Sequence, residues 1–178
     1  MKVADALFFR EVLPTGLLED TAGILRRSDL QRIDVALERF RRLFPQLFFA
    51  IHIRTFRTPT DLQMFGFWLL NHAIFRDQDQ TLNNADGILL VMDVESKQAG
   101  LTFGYTVEPY LDKTDTYACL CKAHSSWVNQ LFADGMIALL MHLEGVLIRK
   151  HRIHRTDKSL MPRKPITSSI SNDTPQVG

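Results

Sequence analysis

Residues Ile88 to Met92 read ILLVM, an uninterrupted apolar run of strand length. A strand without polar alternation has both faces covered, so a chain that contains one must supply a layer on either side of its sheet. The run is preceded by its opposite. From Arg76 to Asp86 the sequence is RDQDQTLNNAD, with carboxylates, amides and a hydroxyl in close succession. A crowd of oxygen donors at the mouth of a buried strand poses the functional question.

The neighbouring segments supply the expected layers. Ser28 followed by Gln31 has capping-box spacing, and Leu30, Ile33, Leu37, Phe40 and Phe44 recur at helical intervals, predicting an amphipathic helix to about Leu43 that Pro45 stops. LFFAIHIRTF, from Leu47 to Phe56, is β-branched and aromatic and predicts a strand. Thr60 and Gln63 repeat the capping spacing before MFGFWLLNHAIF, a helix apolar nearly all round and therefore largely covered. After ILLVM, a turn at Glu95 to Gln98 leads into AGLTFGY and completes a hairpin. A polar segment and a helix carrying Tyr117, Leu120 and Cys121 follow. Asp134 and Gly135 precede a last helix, MIALLMHLEGVLIRK, whose closing Arg149 and Lys150 suit a helix C-terminus. The order of elements predicts an α/β domain with helices on both faces of a mixed sheet.

With 178 residues, 46% of them hydrophobic, the chain is long enough for one well-packed domain and short for two. Charge is unevenly placed: residues 1–148 hold 14 basic and 18 acidic side chains, and residues 149–178 hold 7 and 2. A basic end of this kind can meet phosphates, an anionic membrane or an acidic partner, and is most often simply solvated. Beyond Ile153 the composition predicts disorder. Cys119 and Cys121 are too close for an ordinary disulfide and lack a second pair at zinc spacing, so both are expected to be buried free thiols. No secretory signal or bilayer-length apolar run is evident, so the chain as given is expected to be cytoplasmic.

Several segments, in order, resemble the TPM domain family. LLEDTAGILRRSDLQRI is similar to the opening of such domains, NNADGILLVMD to their Asn-Gly-apolar strand, GLTFGYTVEPYLDKTD to their Gly-Tyr-Gly-apolar-Glu segment and Asp-capped helix, and FADGMIALLMHL to their final helix. The resemblance covers roughly residues 18–148 and rests on the ordered set rather than on one motif. Thr106 departs from it where a second Gly is usual, and Asp86 where Asn is frequent. It implies a three-layer α/β/α sandwich over residues 18–150, between an N-terminal extension (1–17) and a basic tail (151–178). It also implies a divalent cation, often calcium, near the ends of the central strands, and brings a proposal of acid phosphatase activity. The acidic positions that match are Asp86, Glu108 and Asp112.

The residues themselves set limits on that chemistry. Asp77 and Asp79 begin like an EF-hand loop, but Leu82 stands where the sharp turn needs Gly and Ile88 where a bidentate Glu is needed, so a regular EF-hand is excluded. A looser calcium site, with Asp86 meeting Glu108 and Asp112 at the strand ends, remains, because three carboxylates held together call for a cation or raised pKa values. Against it stands the ordinary role of Asp and Asn in loops and of Asp112 as a helix N-cap. For hydrolysis, Cys119 and Cys121 lack a phosphate-loop Arg, Asp112 lacks the Asp-x-Asp partner, and no Gly-x-Ser-x-Gly elbow occurs; only metal-assisted attack by water survives, with Tyr105 or Lys113 orienting the phosphate. The leading expectation is a cation-binding module for an unknown protein partner, and the alternative is a metal-dependent hydrolase of phosphate monoesters. A basic tail docked on nucleic acid is disfavoured by the acidic body, and peripheral membrane contact through that tail stays open.

Overall fold

The computed structural model describes residues 14–79 and 81–160. Among them, β1 (Pro14–Thr15), β2 (Leu18–Asp20), α1 (Arg27–Leu43), β3 (Phe48–Arg54), α2 (Leu62–His72), β4 (Ile74–Phe75), β5 (Gly87–Asp93), β6 (Gln98–Phe103), α3 (Lys113–Val128) and α4 (Phe132–Leu160) follow in order. The main sheet runs β2-β3-β5-β6: the first three strands are parallel, and β6 returns antiparallel to β5. β3 and β5 pair along their whole length, from Phe48 opposite Gly87 to Arg54 opposite Asp93.

All seven residues of β5 are buried, as its composition requires. Alternate side chains feed two cores. Ile88, Leu90 and Met92, with Phe49, Ile51 and Ile53 of β3, pack against Ile33 and Phe40 of α1 and Met136, Leu139 and Leu143 of α4. Leu89 and Val91, with Phe48 and Ala50, pack against Phe65, Trp68, Leu69 and Leu70 of α2. The result is a three-layer α/β/α sandwich around a mixed sheet, with Cys119 and Ala123 of α3 joining the α1 and α4 side. Ion pairs between Arg32 and Asp134, and between Arg39 and the buried Glu144, tie α1 to α4.

Local signals were shifted by a residue or two where another side chain caps better. The first helix starts at Arg27, ahead of Ser28, and the Asp29 carboxylate accepts the Arg26 N–H at 3.3 Å. In α2 the cap is Asp61 rather than Thr60, its carboxylate accepting the Gln63 and Met64 N–H groups at 2.9 and 3.0 Å. Asp134 and Gly135 lie inside the first turn of α4, which begins at Phe132. Gly135 leaves room for the Trp127 indole, which donates to the Phe132 carbonyl at 3.2 Å. Cys119 is buried as expected, whereas Cys121 is exposed, because helical spacing turns it off the packed face. Helix α4 continues past Ile153 to Leu160; residues from 161 onward lie outside the described residues. Among the described residues no helix is long and apolar enough to cross a membrane.

Pro14 and Thr15, expected to belong to an extension, instead form β1 and pair in parallel with β4. Behind this pair a polar group is sealed into the fold. The Thr15 hydroxyl donates to the Glu19 carboxylate and lies 3.3 Å from Nε2 of His52, whose ring meets Phe75 edge-on. Burial, with the nearby Arg54 charge, pulls His52 down to about 4, against the opposing pull of Glu19. An unfolded chain binds this proton near the ordinary value of 6.5, and the folded chain only near 4. The folded state therefore loses stability as pH falls through that window and is unaffected by His52 above it. The expected loss from this residue is about 3 kcal/mol between pH 7 and 4. Urea denaturation across that range should show a shallower acid-side decline in His52→Gln than in the parent chain.

Candidate functional site

The oxygen-rich segment spends most of its acceptors on its own backbone. Asp79 accepts the Thr81 N–H and hydroxyl, at 2.9 and 2.8 Å. A single turn of 3-10 helix over Asn84–Asp86 then delivers the chain into β5. The Asn83 side chain accepts the Ala85 N–H at 2.9 Å, Asp86 Oδ2 accepts the Asn83 N–H at 3.1 Å, and the Asn84 amide donates to the Ala73 carbonyl at 2.9 Å. Polar side chains at this strand mouth are first of all what lets a loop end abruptly in a buried strand.

One corner is not closed in this way. Gly104 brings the end of β6 against the same turn, its N–H donating to the Gly87 carbonyl at 2.8 Å. The Thr106 hydroxyl thereby lies 2.8 Å from the Ala85 carbonyl oxygen and 2.9 Å from Asp86 Oδ1. A hydroxyl has one proton, so only one of these contacts can be a full hydrogen bond. The Ala85 carbonyl also accepts the Thr106 N–H at 3.1 Å, so the hydroxyl can give its proton to Asp86 Oδ1, and three oxygens from two separate loops meet here. Thr106, the departure from the TPM pattern, carries this corner. Its only sequence signal was that departure.

The other expected residues take different roles. Asp112 caps α3: Oδ1 accepts the Asp115 N–H at 2.9 Å, and Oδ2 lies 3.3 Å from Nζ of Lys150. The Asp115 N–H, and after it the Lys150 ammonium, hold the Asp112 carboxyl below its ordinary range. Lys150 also pairs with Asp115 at 2.8 Å. Glu108 opens a 3-10 turn, Glu108–Tyr110, on the surface, and its own N–H donates to the Gly104 carbonyl at 3.0 Å. Tyr105 is exposed, its ring edge-on to Phe67, and Lys113 is exposed at the first turn of α3. Among the described residues no group of three or more His, Cys, Asp or Glu side chains is placed to hold a metal ion. The donor set at Asp86 thus fits a hard cation in part, as a carboxylate, a carbonyl and a hydroxyl, with Asp112 engaged elsewhere.

The site's place in the sheet follows from its flanking strands. Asp86 precedes β5, and the segment holding Glu108 follows β6, whose Phe103 pairs with Ile88. The site therefore sits at the amino ends of the parallel strands, opposite the end at which open α/β sheets usually take ligands. There Asp86 and Thr106 rim a groove of about 790 Å³ floored by Leu43, Phe44, Leu47, Val107, Tyr110 and Leu147. Ile148 and His151 of α4 complete its wall. Leu43 is 48% exposed and Tyr110 42%, so part of this apolar lining is open to solvent. In the sequence, Leu43 and Leu47 mark only the ends of a helix and a strand and carry no signal of a groove.

No family model and no curated protein matches the sequence. Among solved structures, the chain is similar to the N-terminal domain of the cg2496 protein from Corynebacterium glutamicum, with a TM-score of 0.55 and 15% identity over 74% of this chain and 79% of that one. It is similar to the N-terminal domain of a protein from P. gingivalis as well, with a TM-score of 0.55 and 19% identity over 74% and 81%. At such identities the likeness shows the fold alone.

The close approach of Gly104 makes a direct test of this corner. A Cβ there would lie 2.2 Å from the Ala85 carbonyl oxygen and 2.7 Å from that of Asn84, both backbone atoms that cannot swing away. Gly104→Ala should lower stability by about 3 kcal/mol, read as a drop in the urea midpoint.

Proposed function

We propose that this domain is a binding or assembly module of TPM type that engages a protein partner through the groove at the amino ends of its strands. The observation that carries the reading is the make-up of that groove. Its floor is apolar and partly exposed, its polar groups are confined to the rim, and no nucleophile paired with a base lines it among the described residues. Apolar floors with polar rims are the general form of a protein-binding patch. An anionic fluorescent probe of apolar sites, anilinonaphthalene sulfonate, should bind at the groove with saturable enhancement. Ile148→Glu should reduce that enhancement about tenfold while leaving the melting temperature near that of the parent chain. Equal enhancement in both proteins would count against the groove.

The second reading is the divalent-cation one, and the meeting of a carboxylate, a carbonyl and a hydroxyl oxygen at Asp86, Ala85 and Thr106 favours it. Calcium takes carboxylate, carbonyl and hydroxyl oxygens together, so an ion at Asp86 would draw on these three and take its remaining ligands from water. Glu108, two residues along the same surface turn, is the nearest expected contributor in sequence. The hydrolase alternative needs the carboxylates to converge on one water, and Asp112 is spent on its helix cap and on Lys150. Millimolar calcium should raise the melting temperature of the parent chain but not of Asp86→Ala or Thr106→Val. A robust turnover of p-nitrophenyl phosphate lost with the same substitutions would instead favour the enzyme.

A further inference from the structure

A second groove, of about 550 Å³, runs between α1, the start of β3 and the loop that carries Asp77 to Leu82. Along α1 its lining residues are Leu30, Asp34, Leu37, Glu38 and Arg41, which are spaced so that they fall on one stripe of the helix. Leu17, Leu18, Phe48, Phe49 and Leu82 give it an apolar floor. Opposite the helix stand Asp77, Gln78 and Asp79.

Its polar chemistry is one-sided. The single basic residue lining it, Arg41, is paired with Glu38, and Arg42 bonds the same carboxylate at 2.9 Å. Asp34 and Asp77 make no hydrogen bond or ion pair among the described residues, so their charge faces the groove uncompensated. The Gln78 amide nitrogen donates to the Leu82 carbonyl at 3.1 Å, which fixes the orientation of the amide. Its oxygen, Oε1, is buried and has no hydrogen-bond partner. The groove therefore offers carboxylates above aliphatic and aromatic walls, and calls for a ligand that is positively charged and apolar at its flanks.

We infer that this groove is a docking site for a basic amphipathic peptide segment of a partner protein, with a Lys or Arg between Asp34 and Asp77 and its apolar neighbours over Leu37 and Leu82. Lys and Arg carry long aliphatic stems below their charged heads, which suits a narrow slot with apolar walls and anionic edges. Charge complementarity selects this partner over an acidic or a nucleic-acid one, which the same carboxylates would repel. The site is distinct from the Asp86 groove, so the two readings stand or fall separately.

The test uses the full chain and a fluorescein-labelled peptide of alternating Lys and Leu, followed by anisotropy at about 0.15 M salt. Two comparison peptides replace Leu by Ser, or Lys by Glu. The Lys-Leu peptide should bind saturably and displace the Gln78 side-chain amide signals in a nitrogen-proton correlation spectrum. Asp34→Asn with Asp77→Asn, which preserves shape, should weaken it about tenfold. Glu95→Gln, which removes one charge on the distant hairpin turn, should leave it unchanged. Equal binding of the Lys-Ser peptide, equal binding of the Glu-Leu peptide, indifference to the double substitution, a comparable loss in Glu95→Gln, or no saturable binding would each overturn the inference.

Discussion

The fold depends on β5 being covered on both faces. A strand whose seven residues are all buried has no edge or face to offer water, so a helical layer must close each side and a neighbour must satisfy each edge. Phe65, Trp68 and Leu70 of α2 answer one face, and Ile33, Phe40, Leu139 and Leu143 the other. β3 and β6 take the two edges. With every apolar atom of the strand spent on packing, binding chemistry is displaced to its ends, where the chain has to change from exposed loop to closed core.

That change explains the oxygen-rich segment better than coordination alone. Asn83, Asn84 and Asp86 each bond backbone within the turn or next to it, and Asp79 does the same for Thr81. Buried polar backbone has to be satisfied within a few residues of the strand mouth, and short polar side chains are the cheapest means. What the turn does not use for itself lies at two places: the Asp86 and Thr106 oxygens, and, on the other side of the same loop, Asp77 and Gln78. Two grooves thus flank one loop. One is apolar with a single carboxylate at its rim, and the other is apolar with uncompensated negative charge.

Much of the architecture was legible in the primary order. Periodicity located the helices and strands to within a few residues, because burial of a whole face repeats along the chain and leaves a pattern. Capping boxes were read less well: Ser28 and Thr60 have the right chemistry, yet Asp29 and Asp61 do the work, since a carboxylate already near the helix start accepts the free N–H groups more strongly. The exposure of Cys121 and the pairing of Pro14 and Thr15 with β4 were out of reach for the same reason. Each depends on which surface lies opposite, and a short two-residue pairing has no period to detect.

The sequence by itself determined the layer order, the doubly covered strand and the supply of acids around it, because these follow from which side chains water rejects and at what spacing. Only the tertiary structure decided which acids meet. Asp112 was drawn to Lys150 of α4, and Asp86 to Thr106 across the β6 connection, while Asp34 and Asp77 were brought to line one groove. Contacts between residues distant along the chain are chosen by packing of the layers beneath them, and local composition carries no record of that choice.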